Sequence, residues 1–551
     1  MTKISTTNIN RPAPTRLFWA GLILLVVTYA VIEALWARPM VWADSAAGFN
    51  VWDSMRAGAS WNCYSEPDPA NIARNHEVFR TWWSPGQYVP VGLLTLTGLS
   101  LGVSIVVVTL VGVLIGLAGC WRLFKAWEFP EPVVMTSVAI IALGWHTSFL
   151  FGMFNGGELA LFAGFPWIAL AATRLADKSR WLLVALPPLF LIGAFLKLSF
   201  PLIALALCAG LWLGRNDTPW RINGSALRLA CVLCGSFALF YIILWMLFLS
   251  RGSMPGDAGQ VEYAKSLLFG FSATGPLLAT GAFASLISRA VFFPGASLLG
   301  NWNDLGEVLC LLIVPALALY ALAWLKAPGH RYRGMLIGFV LGYGVLFALL
   351  YYRGASISID DRHFRPAAIV LIPGLAQAGF FTGSIWLRRI LIGLALLTAI
   401  YGLAGFANRV NYIRSIDNVG IRGCTQNVSS RSATTLLHTL DLAIPVAEGS
   451  TVYVTSPTIS LDISRMRIIQ THADQESSAA LGEKHYLGRV NNLLIITSAT
   501  TSAKQLTAIL KSFVSYKQSA WRCHKEDGCR FYYQGDWLDS VLHGQPTPVF
   551  N

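Results

Sequence analysis

For its first 405 residues the chain alternates long apolar runs with short polar or basic connections, and then its character changes. Runs near 17–36, 101–121, 132–150, 158–175, 181–196, 199–214, 227–250, 306–325, 334–351, 366–384 and 388–405 predict about eleven helices. A helix needs about 20 apolar residues to cross about 30 Å of hydrocarbon, and most of these runs reach or approach that length. The alternation of apolar and polar positions that a membrane β-barrel requires is missing. From 406 onward, strand-like runs occur at Thr451–Thr455, Met466–Thr471, Asn492–Thr497 and Arg530–Gln534. A helix is predicted from about Ser502 to Tyr516, with Leu506, Ile509, Leu510 and Phe513 on one face. The expected fold class is mainly α: a polytopic transmembrane helix bundle followed by a small extracytoplasmic α/β domain. The boundaries are 1–405, including outer loops 37–88, 251–305 and 352–365, and 406–551.

Composition sharpens this picture. Hydrophobic residues make up 55% of the 551 positions and charged residues only 13%, where soluble domains carry about 25% charged residues. The net charge of +13 does not point to nucleic acid, because no basic patch is interleaved with aromatics. Sixteen Lys and Arg fall in the short connections of one side: 1–16, 122–131, 174–180, 215–228, 326–333 and Arg388-Arg389. The positive-inside rule then makes the N-terminus cytoplasmic, in a multi-pass plasma (inner) membrane protein, and puts the C-terminal domain outside. The apolar run from Leu17 to Trp36 exceeds a signal-peptide core of about 7–15 residues, so it is read as a retained first helix. No Walker motif, no G-x-G-x-x-G after a strand and no G-x-S-x-G occurs, which speaks against a nucleotide-driven pump and a soluble nucleotide-sugar transferase. Cys523 and Cys529 lie six apart around a turn, in what would be an oxidising compartment. They are a disulfide candidate, with two free thiols as the alternative. Zinc-ligand spacing is missing, so no zinc site is expected and no metal ligands are assigned, while dependence on a divalent metal stays open.

The outer segments carry the unusual chemistry. Asp44 follows the first helix and opens an amphipathic stretch running to Gly58, with Ala47, Val51 and Met55 at helical spacing. This reads as an interfacial helix, with Asp44 or Ser45 at its N-cap. Trp82-Trp83-Ser84-Pro85-Gly86-Gln87-Tyr88 reads as a turn starting a helix, its tryptophans either an interfacial belt or part of a cavity. Glu158 starts a membrane helix, where the helix dipole favours an acid. It is also a second acid for the cavity of Asp44. Arg362 and Arg365 stand at a helix entrance on the outer face, against the positive-inside bias, flanking His363. Arginine suits phosphate, which it binds by two parallel hydrogen bonds; local pairing with Asp360 or Asp361 is the competing reading for Arg362. Lys197, at an outer turn with no acid near it in sequence, either meets a phosphate or snorkels to the surface.

In this order the pieces resemble the GT-C class of integral-membrane glycosyltransferases, which use polyprenyl-phosphate-linked sugars. The residues that carry the resemblance are Asp44, Phe49, Met55, Gly58 and Trp61, then Ser84-Pro85-Gly86-Gln87-Tyr88, then Arg362-His363-Phe364-Arg365-Pro366. Two positions depart from the pattern. Ser45 follows Asp44 where many members carry a second acid, and His363 stands where Tyr is frequent. The resemblance implies transfer of a sugar from a polyprenyl-phosphate donor to a glycan, lipid or protein acceptor on the extracytoplasmic face, with inversion. Asp44, aided by Glu158, would be catalytic; Lys197, Arg362 and Arg365 would hold the donor phosphate; Trp83, Tyr88 and His363 would line the cavity. Membrane lipid is the other partner, and no cofactor beyond the lipid-linked donor is required. The alternatives are a transporter or flippase, and a polymerase or ligase for lipid-linked glycans. Few helix-interior charges and no evident inverted repeat weigh against transport.

Overall fold

The apolar runs become helices because, away from water, a helix satisfies all its backbone groups internally. The structure is a computed structural model that describes residues 13–81, 84–176, 179–215, 223–252, 317–353, 363, 365–416, 418–425, 430–443, 450–464, 466–471, 478–498, 501–526, 529–535 and 538. Among the described residues, five helices are long and apolar enough to cross a membrane: Thr15–Ala37, Leu101–Ala126, Gly156–Ala176, Gly224–Arg251 and Ile385–Ile416. Shorter apolar helices cover Glu131–Leu143, Trp181–Leu196, Phe200–Leu213 and Arg365–Phe381. The protein is therefore a multi-pass membrane protein. Large apolar side chains such as Leu24 and Ile400 are more than 60% exposed within these helices, as a lipid-facing surface requires.

The N-terminal half runs α1 (Ala13–Ile32), a π-helical turn over Glu33–Ala37, β1 (Met40–Val41), α2 (Ala43–Arg56), β2 (Cys63–Asp68), β3 (Asn71–Phe79), α3 (Val89–Thr95), α4 (Leu101–Ala126), α5 (Glu131–Leu143), α6 (Trp145–Ser148), β4 (Met153–Phe154), α7 (Gly156–Ala176), α8 (Ser179–Leu196), α9 (Phe200–Leu213) and α10 (Gly224–Leu247). The helix expected over 132–150 is not continuous. It stops at Gly144, whose backbone is extended, and resumes as the single turn Trp145–Ser148. The last long helix, Ile385–Ile416, runs straight through the composition change at 406, and Phe406, Val410 and Ile413 on it belong to the bundle core. Of the run at 306–325, only 317–325 falls among the described residues.

The C-terminal part forms a five-stranded sheet in the order β6-β5-β7-β9-β8, with β5 (Ser450–Val454), β6 (Arg467–Gln470), β7 (Asn492–Ser498), β8 (Arg522–Glu526) and β9 (Cys529–Tyr533). β5 pairs in parallel with β6 and β7, while β9 is antiparallel to β7 and β8. Successive side chains of a strand point to opposite faces, and here both faces are buried. Val452, Val454, Leu494, Ile496 and Phe531 pack with Leu437 and Leu440 of the helix Arg431–Ala443. Tyr453, Ile495 and Tyr532 pack on the other face with Ile509 and Phe513.

Cys523 and Cys529 do not bridge. In the β8–β9 register Cys523 faces Tyr532 and Cys529 faces Glu526, three positions apart. At about 3.3 Å per residue this exceeds the reach of about 7 Å between α-carbons. Neither is in a disulfide; Cys523 is exposed and Cys529 buried.

This sheet grips the segment that follows α1. The β2–β3 hairpin contributes Ile72 to the sheet's own apolar cluster. Tyr64 donates to the Ile468 carbonyl at 3.0 Å, and the Ile72 and Leu487 backbones bond across at 2.9 Å. Asn50 of α2, 3% exposed, donates to Ser460 and to Gln470. Arg422 and Asp53 pair at 2.5 Å. The first half of α2 is thus packed on protein: Ser45 through Val51 are all buried.

Candidate functional site

Two short parallel strands organise the site. β1 aligns Met40 with Met153 and Val41 with Phe154. The Trp42 N–H then donates to the Phe154 carbonyl at 3.2 Å, and Ser45 Oγ accepts the Gly156 N–H at 3.0 Å. Phe49 stacks on Phe154 with centroids 5.7 Å apart. The start of α2, bearing Asp44, and the start of α7, bearing Glu158, are thus knit side by side. Asp44 is half-buried in the first turn of α2, where the exposed N–H groups favour a carboxylate. The N-cap itself is Trp42, whose side chain makes no capping hydrogen bond. The cap expected at Asp44 or Ser45 therefore lies two or three residues upstream, because the β1 pairing holds Trp42 extended.

The turn Ser84–Tyr88 wedges between these elements and α8. Ser84 Oγ donates to the Ala194 carbonyl at 3.0 Å. Gly156 lies so close to Gln87 that a Cβ there would overlap the Gln87 carbonyl oxygen. Tyr88, expected to line the cavity, is instead fully buried against Gly48 of α2, and its hydroxyl donates to Asn62 Oδ1. Burial pushes this phenol far above its ordinary range, so it is a neutral structural donor. Trp83, the other aromatic expected here, lies outside the described residues.

Glu158 and Lys197 meet. Lys197 Nζ donates to Glu158 Oε1 at 2.6 Å, and the residues are 9% and 3% exposed. Lys197 follows α8 directly, its N–H bonded to the Gly193 carbonyl at 3.0 Å. The sequence shows no acid beside Lys197. The fold supplies one from 39 positions away.

Arg365 opens the helix Arg365–Phe381 and is 4% exposed. Its guanidinium lies 4.7 Å from the centre of the Phe149 ring. All three of its nitrogens are buried without a hydrogen-bond partner among the described residues. His363 stands 5.9 Å from the Phe347 ring. Arg362 lies outside the described residues. Asp44, Glu158, Lys197 and Arg365 therefore all sit at one end of the bundle: the end where α1 and α8 finish, and where α7 and the Arg365 helix begin.

Two buried ionisable side chains escaped the sequence reading, Glu33 and Arg409, at 0% and 8% exposure. Glu33 lies inside a long apolar run, where an ionisable residue is itself a signal, whereas Arg409 follows the run 388–405 in a polar stretch that carries no such signal.

No family model matches the chain, and no curated protein matches it. Among solved structures it is similar to ArnT from Cupriavidus metallidurans bound to undecaprenyl phosphate, at 14% identity and a TM-score of 0.41, over 95% of this chain and 98% of that one. It is also similar to the arabinofuranosyltransferase AftD from Mycobacteria, at 13% identity and a TM-score of 0.47, over 94% of this chain and 41% of that one. A third neighbour is the oligosaccharyltransferase AglB from Archaeoglobus fulgidus in complex with an inhibitory peptide and a dolichol-phosphate, at 10% identity and a TM-score of 0.44, over 95% and 75%. These neighbours are GT-C glycosyltransferases, the class that the sequence resembles.

Proposed function

We propose that the protein is an integral-membrane glycosyltransferase that moves a sugar from a polyprenyl-phosphate donor to an acceptor hydroxyl on the extracytoplasmic face. The observation that carries this reading is the juxtaposition at one end of the bundle: the Asp44 turn bonded to the Glu158 turn, with a buried, hydrogen-bond-free arginine at the same end. Asp44 takes the proton of the acceptor hydroxyl as general base. The acceptor oxygen attacks the anomeric carbon from the face opposite the phosphate, the bond to phosphate breaks, and the configuration inverts. The leaving phosphate takes the electron pair and is neutralised by Arg365, with Arg362 beside it in sequence. Lys197 adds to this field. An ammonium carries three donors, so its bond to Glu158 is compatible with a phosphate contact. Glu158 sets the orientation of that ammonium. The donor's isoprenoid tail stays in lipid, which fits a site built at the end of membrane helices. No soluble cofactor takes part, and the C-terminal α/β part, held against α2, grips the acceptor.

The test is Asp44→Asn in full-length protein reconstituted into liposomes with a polyprenyl-phosphate sugar. Loss of a general base lowers transfer about 10²–10⁴-fold with unchanged expression and thermal stability. Full transfer by this variant removes Asp44 from the role.

A further inference from the structure

The bundle interior holds two ionisable side chains that the proposed reaction does not use. Glu33, in the π-helical turn that ends α1, is fully buried, and its Oε1 accepts the Gly152 N–H at 2.7 Å. Arg409, on the helix Ile385–Ile416, donates from Nη1 to the carbonyls of Ser148, Phe149 and Phe151 at 3.2, 3.0 and 3.0 Å. Its guanidinium also lies 4.6 Å from the ring centres of both Trp145 and Phe149. Arg409 interacts electrostatically with Glu33. Gly152, which Glu33 holds next to the Phe151 carbonyl held by Arg409, has a left-handed φ of +87°, and a Cβ there would press on Arg409 Cδ at 3.1 Å.

Such burial is costly. Burying an ionisable group costs stability unless it is hydrogen-bonded or paired, and an apolar residue of similar size carries no such cost. Packing alone therefore does not account for an acid and an arginine spent on the loop 148–152. That loop carries Phe149, and Phe149 is the ring on which Arg365 rests. A ring engages a guanidinium through its flat face, while the five N–H donors lie in the guanidinium plane. An aromatic support thus orients Arg365 without consuming a donor, which matches its three buried nitrogens without hydrogen-bond partners.

We infer that Glu33, Arg409 and Phe149 form a donor-sparing support for Arg365: the Glu33 carboxyl and the Arg409 guanidinium fix the loop backbone, and the ring presents Arg365 with its donors unspent for an anionic headgroup. These are positioning residues, and the inference rests on the reading in which Arg365 meets the donor phosphate.

The experiment measures binding of farnesyl phosphate and of farnesol to the purified full-length protein in nanodiscs, for wild type, Arg365→Gln, Phe149→Leu, Phe149→Tyr, Glu33→Gln and Arg409→Lys. A structural role weakens both ligands alike, whereas a positioning role weakens only the phosphate. The expected result is that Phe149→Leu loses about tenfold in preference for phosphate over alcohol, that Phe149→Tyr retains it, and that Glu33→Gln and Arg409→Lys shift it in the direction of Phe149→Leu. Should either charge variant fail to fold, the two Phe149 variants decide. A wild-type preference in Phe149→Leu, with Arg365→Gln still losing it, overturns the support and leaves the reading of Arg365 standing. No phosphate preference in wild type, or none lost in Arg365→Gln, overturns both.

Discussion

Lys197 Nζ donates to Glu158 Oε1 at 2.6 Å in a setting where neither side chain reaches much solvent. The pair joins the end of α8 to the start of α7. Removing one partner strands a buried charge, which costs about 3–5 kcal/mol, whereas removing both is far milder. Lys197→Met is therefore expected to lower the thermal midpoint sharply, and Glu158→Gln combined with Lys197→Met to recover much of the loss. Thermal unfolding of the three variants in one detergent checks this. Strictly additive losses would show that the two residues act independently.

Gly156 tests the packing that brings the acid-bearing turns together. A Cβ there overlaps the Gln87 carbonyl oxygen, while a Cβ at Gly224, also a first helical residue, meets nothing within 4 Å. Overpacking costs about 1–3 kcal/mol, and an open surface site changes stability by about 0.5 kcal/mol at most. Gly156→Ala should lower both thermal midpoint and transfer, and Gly224→Ala neither. Equal effects at both positions would contradict the close approach of Gln87 to α7.

Cys523 is exposed and Cys529 is buried, three register positions apart. A maleimide probe is expected to label Cys523 in the folded protein to the same extent with and without prior reduction. Labelling that appears only after reduction would reinstate the bridge.

Glu66, in the hairpin held by the sheet, is expected to set a pH response. Burial raises its carboxyl above the usual range, against the opposing pull of Arg80, whose Nη2 lies 3.2 Å away, and of His76. A carboxyl whose folded value is raised binds its proton more tightly in the folded state. Its contribution to stability is thus full below the ordinary glutamate range and is lost as pH rises through the raised folded value. Glu66→Gln should unfold like wild type at low pH and gain on it as pH climbs past that point. Melting curves from pH 4 to 8 check this, and a gap that shrinks with rising pH would refute it.

Part of the site was visible in the linear chain. Asp44, Glu158, Lys197 and Arg365 stand out because an ionisable group next to a long apolar run is expensive and so conspicuous. The strands at 450–454, 467–470, 492–498 and 529–533 were readable because they carry concentrated apolar residues. β8, with the sequence Arg-Cys-His-Lys-Glu at a sheet edge, carries no such signal; charged edge strands resist pairing with other chains. The hairpin at 63–79 was missed for a similar reason, since its residues are largely polar and only a few, such as Tyr64 and Ile72, are buried.

By itself the sequence determined that this is a multi-pass membrane protein, since transfer of apolar side chains out of water depends on local composition. It also determined which side chains carry the candidate chemistry. Only the tertiary structure decided who partners whom: Glu158 with Lys197, Phe149 with Arg365, and α2 with the C-terminal sheet. Those pairings join positions from tens to hundreds of residues apart. They are set by how whole helices and strands dock, a sum of many weak contacts that no local pattern encodes.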